Sequence, residues 1–127
     1  MQDRAMEAKM LERLKAMLDH HREHLEIAQM SERDLDDIGL TREQLLNVVD
    51  TPEEVSRRVL QMAARHGISE HELESYRQDF AILLDNCAHC HSVGKCGRML
   101  ADPTQTAEDA TFCPNHEEYL ALVAEKA

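Results

Sequence analysis

Tryptophan is absent from this 127-residue chain, and tyrosine and phenylalanine contribute two residues each. Those four aromatics, Tyr76, Phe80, Phe112 and Tyr119, all lie in the second half. Cations are scarce as well. Fourteen lysines and arginines against 25 aspartates and glutamates leave a formal net charge of −11, whereas binding nucleic acid needs clustered cations that displace counterions from phosphate. Nucleic acid is therefore excluded as the expected partner. Only four glycines occur, and they form no glycine-rich phosphate loop. No stretch approaches the roughly 18 apolar residues of a membrane span, and the start Met1-Gln2-Asp3-Arg4 lacks the apolar centre of a secretory signal. A cytoplasmic protein without a membrane partner is expected. Strand-like alternation is missing throughout. So are a nucleophile–base pair with an orienting acid and a carboxylate pair with a reason to be buried, so no enzyme is expected, only a non-catalytic subunit at most.

What the chain does have is helix punctuation. Leu11, Leu14, Leu18, Leu25 and Ala28 recur at alternating threes and fours when His21 is counted, which predicts a helix from about Arg4 to Gln29. Such a helix is about 39 Å long at about 1.5 Å per residue, longer than a small domain needs. With Met6, Met10 and Met17 along it, a homodimer or a docking surface for a larger partner is expected there. Ser31-Glu32-Arg33-Asp34 opens a second helix with Met30 and Leu35 as its hydrophobic staple, and Gly39 stops it. Thr41-Arg42-Glu43-Gln44 repeats the device. Thr51-Pro52-Glu53-Glu54 opens a segment carrying Val55, Val59, Leu60 and Met62 as far as His66-Gly67, with His66 as a cation in the last turn. Ser69-Glu70-His71-Glu72 starts a helix expected to run unbroken through Tyr76, Phe80, Leu83 and Leu84 to Cys87. Gly97 to Ala101 suits a short helical turn, Asp102 to Thr111 reads as a polar loop, and Asn115 is placed to cap a final helix faced by Tyr119, Leu120 and Val123. The expected fold is an all-α bundle of about five or six helices in a single domain, 1–127. It comprises a long helix over 1–30, a helical core over 31–86 and a cysteine region over 87–127.

All four cysteines fall in that last region, as Cys87-x2-Cys90-x5-Cys96-x16-Cys113. In a reducing compartment four thiols so spaced suit metal ligation better than two structural disulfides. The surroundings agree with an anionic site. No acidic residue lies between Asn86 and Ala101, while Lys95 and Arg98 do, and cations near the thiolates would offset their charge. His89, His91 and His116 each lie within a few residues of a cysteine, as alternative ligands or hydrogen-bonding supports. His20 and His24, four apart on the first helix, lack an evident third ligand and read as a solvated face.

Three groups answer to this spacing. An iron–sulfur cluster, foremost 4Fe-4S, is held by four cysteines, often three in one run and a remote fourth followed by proline, as in Cys113-Pro114. Zinc also takes four cysteines, but its modules usually present two short pairs. Cys87-Ala88-His89-Cys90-His91 matches the attachment motif of covalent c-type haem, which leaves Cys96 and Cys113 without a role. The cysteine pattern followed by Phe112-Cys113-Pro114-Asn115 resembles the signature of a family of small bacterial proteins whose function is unknown, over roughly Gly39 to the end. Leu35-Asp36-Asp37-Ile38-Gly39-Leu40-Thr41-Arg42 is similar to a short motif of another uncharacterised bacterial family of small, arginine-rich proteins. Neither resemblance implies an activity. The function expected from the residues is electron transfer or a redox- or iron-responsive accessory role beside a protein partner, the alternative being a zinc-stapled interaction module. Because the polar loop has no apolar period, the metal is expected to hold the final helix in place through Cys113.

Overall fold

The computed structural model describes residues 2–126 and shows, among them, eight α-helices and no strand. The chain divides into two compact units, Met1–Val49 and Asp50–Ala127, with the border beside Thr51-Pro52, a place the sequence analysis does not mark as a boundary.

The first unit holds α1 (Gln2–Gln29), α2 (Glu32–Ile38) and most of α3 (Arg42–Asp50). Helix α1 is longer than expected, and its predicted stripe is not a core face: every residue from Arg4 to Glu23 is exposed. The residue of α1 that is buried is Ile27, which the stripe omits, together with Leu35 of α2. Arg42 ties the corner, its Nε donating to the Ile27 carbonyl at 3.2 Å and its Nη2 to that of Met30. The punctuation holds. The Ser31 hydroxyl accepts from the Asp34 N–H at 3.1 Å while the Asp34 carboxylate accepts from the Ser31 N–H, and Thr41 with Gln44 repeats the exchange. Gly39 ends α2 at φ 84, the left-handed region where a side chain is strained.

The second unit holds α4 (Glu53–Arg65), α5 (Glu70–Glu74), α6 (Arg77–Ala88), α7 (Val93–Ala101), a 3-10 turn at Ala107–Ala110, and α8 (His116–Lys126). Helix α4 buries Val55, Val59 and Met62, spaced four and three apart on one face, and packs on α6 through Leu83 and Leu84. Each such side chain contributes about 1.5–3 kcal/mol when fully buried. Gly67, at φ 85, lets the chain leave α4 so that the Ile68 N–H reaches back to the Ala63 carbonyl at 2.9 Å. The helix expected from Ser69 to Cys87 is two helices, because the backbone turns at Ser75-Tyr76, where Tyr76 takes φ −117 and ψ 62 with neither glycine nor proline to announce it.

The segment read as a polar loop has local order. The Asp102 carboxylate accepts from the Thr104 N–H at 3.0 Å and from its hydroxyl, and Thr106 with Asp109 opens the 3-10 turn whose Ala110 is fully buried. Arg65, at the end of α4, gathers this segment by donating to the carbonyls of Leu100, Asp102 and Gln105 at 3.0, 3.0 and 2.9 Å.

Helix α8 is fastened by its own residues, beyond the closure by metal through Cys113 that the sequence suggests. Tyr119 and Leu122 are buried, the Tyr119 hydroxyl donates to the Val59 carbonyl at 3.0 Å, and the Lys126 ammonium donates to the Gly67 carbonyl at 2.8 Å and Glu72 at 2.6 Å. That lysine draws the Glu72 carboxyl down to about 2.

Candidate functional site

The four cysteines arrive from four places along the chain. Cys87 is in the last turn of α6, Cys90 follows in the bend where its backbone N–H meets the Cys87 carbonyl, Cys96 sits on α7, and Cys113 is in the turn before α8. All four line one apolar cavity of about 20 Å³, walled by Val59, Met62, Phe112 and Tyr119 among others. All four are free thiols, and among the described residues no three of their sulfurs lie within 4.8 Å of one another. They share a cavity at more than disulfide or single-ion spacing, since about 2.3 Å zinc–sulfur bonds in a tetrahedron put sulfurs roughly 3.8 Å apart.

Each wall residue has a local reason for its position. Val59 and Met62 belong to the buried face of α4, and Arg58, half-buried on the same helix, turns its guanidinium into the lining. Tyr119 is one turn into α8. Asn115 does not cap that helix with its side chain. Its Nδ2 donates to the Leu83 carbonyl at 2.7 Å, and its Oδ1 accepts from Asn86 at 3.0 Å, so this buried amide pins the start of α8 to α6 beside Cys113. The Asn115 amide, itself buried, takes these tertiary partners in place of the expected cap.

Burial sets the chemistry of the thiols. Loss of solvation raises Cys87 and Cys96, and pushes Cys113 up to about 11. Hydrogen bonding from Arg58 opposes this at Cys87, and the Asn115 backbone N–H does so at Cys113. The Cys87 thiol lies 3.9 Å from the Val55 carbonyl, and Cys90 Sγ accepts from the Ser92 N–H at 3.2 Å. Without metal, these three groups hold their protons at neutral pH, so a metal must displace protons to bind.

The remaining predicted residues separate from the cavity. His89 and His91 are exposed and outside its lining. His89 Nδ1 lies 2.8 Å from the Asp85 carbonyl, and His91 is the residue that the haem motif requires. Lys95 stands over the Phe112 ring at 4.9 Å and, with Arg98, lines a separate open hollow shared with Asp102 and Asp109. His116 is buried, but it faces His66 at 3.0 Å rather than a thiol. His66 is likewise buried, and desolvation lowers its pKa, so it is not the helix-end cation expected of it. Of the aromatics, Phe112 and Tyr119 wall the cavity, whereas Tyr76 and Phe80 are outside its lining.

Arg58 is the lining residue that sequence reasoning misses. It precedes the first cysteine by a whole helix pair, and its signal is positional: it neighbours Val59, three residues after Val55 and four before Met62, at the edge of the apolar face of α4.

Residues 47–125, more than half of the chain, match the model described as a family of unknown function, DUF6455, and residues 10–45 match the YjiS-like domain. Each match falls almost entirely within one of the two compact units. No curated protein and no solved structure matches the chain.

Proposed function

The chain belongs to that family of unknown function through the unit that carries all four cysteines, and we propose that this unit is a small iron–sulfur protein, with Cys87, Cys90, Cys96 and Cys113 as the ligands of one 4Fe-4S cluster. The observation that carries the reading is the convergence of all four thiols on one apolar cavity. Their spread supports a cluster, because each thiolate of a four-cysteine cluster binds a different iron, whereas zinc draws all four sulfurs onto one atom. When bound, the group supplies one-electron chemistry. The chain's own residues ligate it, exclude water through Val59, Met62, Phe112 and Tyr119, and offset its negative charge through Arg58. Four protein ligands leave no position for a substrate, which favours an electron carrier or an accessory redox subunit over an enzyme.

Zinc remains the second reading, on a specific observation: a cavity of about 20 Å³ is close to the space of a single water, so a cluster must push the walls apart while one ion need not. Freshly prepared protein separates the two. A brown chromophore that bleaches with reductant and returns on reoxidation supports the cluster carrier. Bleaching by air with loss of the group supports a cluster that senses oxidants, and a colourless protein containing zinc overturns the cluster.

A further inference from the structure

We propose that α1 pairs with α1 of a second copy of this chain as a short, parallel, in-register coiled coil along Leu11–Ala28, with His21 as the polar layer of its seam. In heptad terms Leu11, Leu18 and Leu25 are a positions, and Leu14, His21 and Ala28 are d positions, a strict alternation of threes and fours. The leucines of this seam are 64%, 52%, 57% and 49% exposed in chain order, and Met10 and Met17 flank it at g positions, 67% and 68% exposed. A helix whose residues from Arg4 to Glu23 are all exposed has little tertiary packing over that length to hold it, and isolated helices are marginal in water.

The seam is free to take a partner because the first unit uses another face. Ile27, buried there, lies about 200° around the helix from Leu25. The charges choose the orientation. The e positions carry Lys15 and Arg22, and the g positions carry Met10, Met17 and His24. Parallel pairing sets each g position against the e position five residues on, so Lys15 lies along Met10 and Arg22 along Met17. Antiparallel pairing sets e against e, and Lys15 then meets Arg22 twice, a like-charge cost. The polar Arg4 and Glu7 at the next a and d positions end the seam on the N-terminal side.

Parallel register places the two His21 rings against each other. Around each ring stand Met17, Leu18, His24 and Leu25 of its own helix, and Leu18, His21, Arg22 and Leu25 of the second copy. No partner for a buried imidazole is among them except the second His21, so this polar layer costs the dimer stability and fixes its register. In the antiparallel alternative His21 meets Leu18 and this layer does not form.

Sedimentation of the full chain over a range of concentrations tests the proposal. A concentration-dependent dimer is expected. Leu14→Glu with Leu18→Glu, both at exposed sites, should give a monomer whose second unit melts unchanged. His21→Leu should tighten the dimer by roughly tenfold, and His21→Cys should cross-link the two copies through position 21 on mild oxidation, since parallel register sets these positions against each other. A wild-type monomer at all concentrations, or a dimer that survives the double substitution, overturns the pairing, including in favour of a different partner on this face. A His21→Cys dimer that oxidation leaves without a cross-link through position 21 overturns the parallel register.

Discussion

His66 Nε2 and His116 Nδ1 lie 3.0 Å apart in the interior of the second unit, and their protons can be assigned from their neighbours. His66 Nδ1 faces the Met62 carbonyl at 2.8 Å, which only accepts, so that nitrogen carries the hydrogen. Nε2 is then bare and accepts from His116 Nδ1–H. His66 is thus neutral, and its ring stacks on Tyr119, 4.7 Å between centroids, directly behind the cysteine cavity.

The first prediction follows from that neutrality. Burial depresses the His66 pKa below its ordinary 6.5. The unfolded chain therefore takes up a proton that the fold refuses, and stability present above about pH 6.5 falls as the solution becomes more acidic. Denaturant unfolding should show a steeper loss between pH 7.5 and pH 5.5 in the wild type than in His66→Gln. Equal slopes would place the acid sensitivity elsewhere.

The metal-free protein should also weaken at high pH. Cys113 keeps its proton in the fold to about 11 against an ordinary value of 9.0, so the stability it contributes is present below about pH 9 and is lost as pH rises toward 11. Thermal melts of the apoprotein across that window should fall, and Cys113→Ala should flatten the fall. Bound metal should abolish it, because the ligand is then a thiolate throughout.

Arg65 should behave as a structural clamp. Arg65→Ala removes charge-assisted hydrogen bonds to the carbonyls of Met99, Leu100, Asp102 and Gln105 and should cost roughly 1.5–3 kcal/mol. Hydrogen exchange should rise across 102–110 ahead of the rest of the unit. Arg65→Lys should rescue little, since a single ammonium cannot span the carbonyls that the guanidinium fork reaches.

Cys113→Ala should release the metal without releasing α8. The helix keeps Tyr119, Leu122, the Asn115 pair and the Lys126 bridge. Exchange protection across 117–124 should therefore remain while the metal content falls. Tyr119→Phe should in contrast retain metal and lose about 0.5–1.5 kcal/mol with the Val59 hydrogen bond.

What was legible in the sequence was local. The capping exchanges of Ser31 with Asp34, Thr41 with Gln44 and Ser69 with Glu72 each involve residues three apart, so no tertiary knowledge is needed to place them. Cys87, Cys90 and Cys96 stand close together in sequence, and Cys113 joins them in the lining of one cavity, at more than disulfide or single-ion spacing. The failures are tertiary. Asn115 looks like a cap until Leu83 and Asn86, about 30 residues earlier, claim its amide. His66 looks like a helix-end cation until His116 and Tyr119, some fifty residues later, bury it. Arg58 enters the cavity from a helix with no cysteine in its sequence, and the break at Ser75-Tyr76 is imposed by packing α5 and α6 against α4, not by a breaking residue.

The proposal that four thiols of one cavity hold a single iron–sulfur cluster stands or falls on the iron, acid-labile sulfide and zinc content of protein purified without air, measured for the wild type and for each cysteine replaced by alanine in turn. About four irons and four sulfides per chain are expected in the wild type, with a sharp loss of both in Cys87→Ala, Cys90→Ala, Cys96→Ala and Cys113→Ala alike. One zinc per chain with no sulfide, or iron retained when Cys113 is removed, would overturn it.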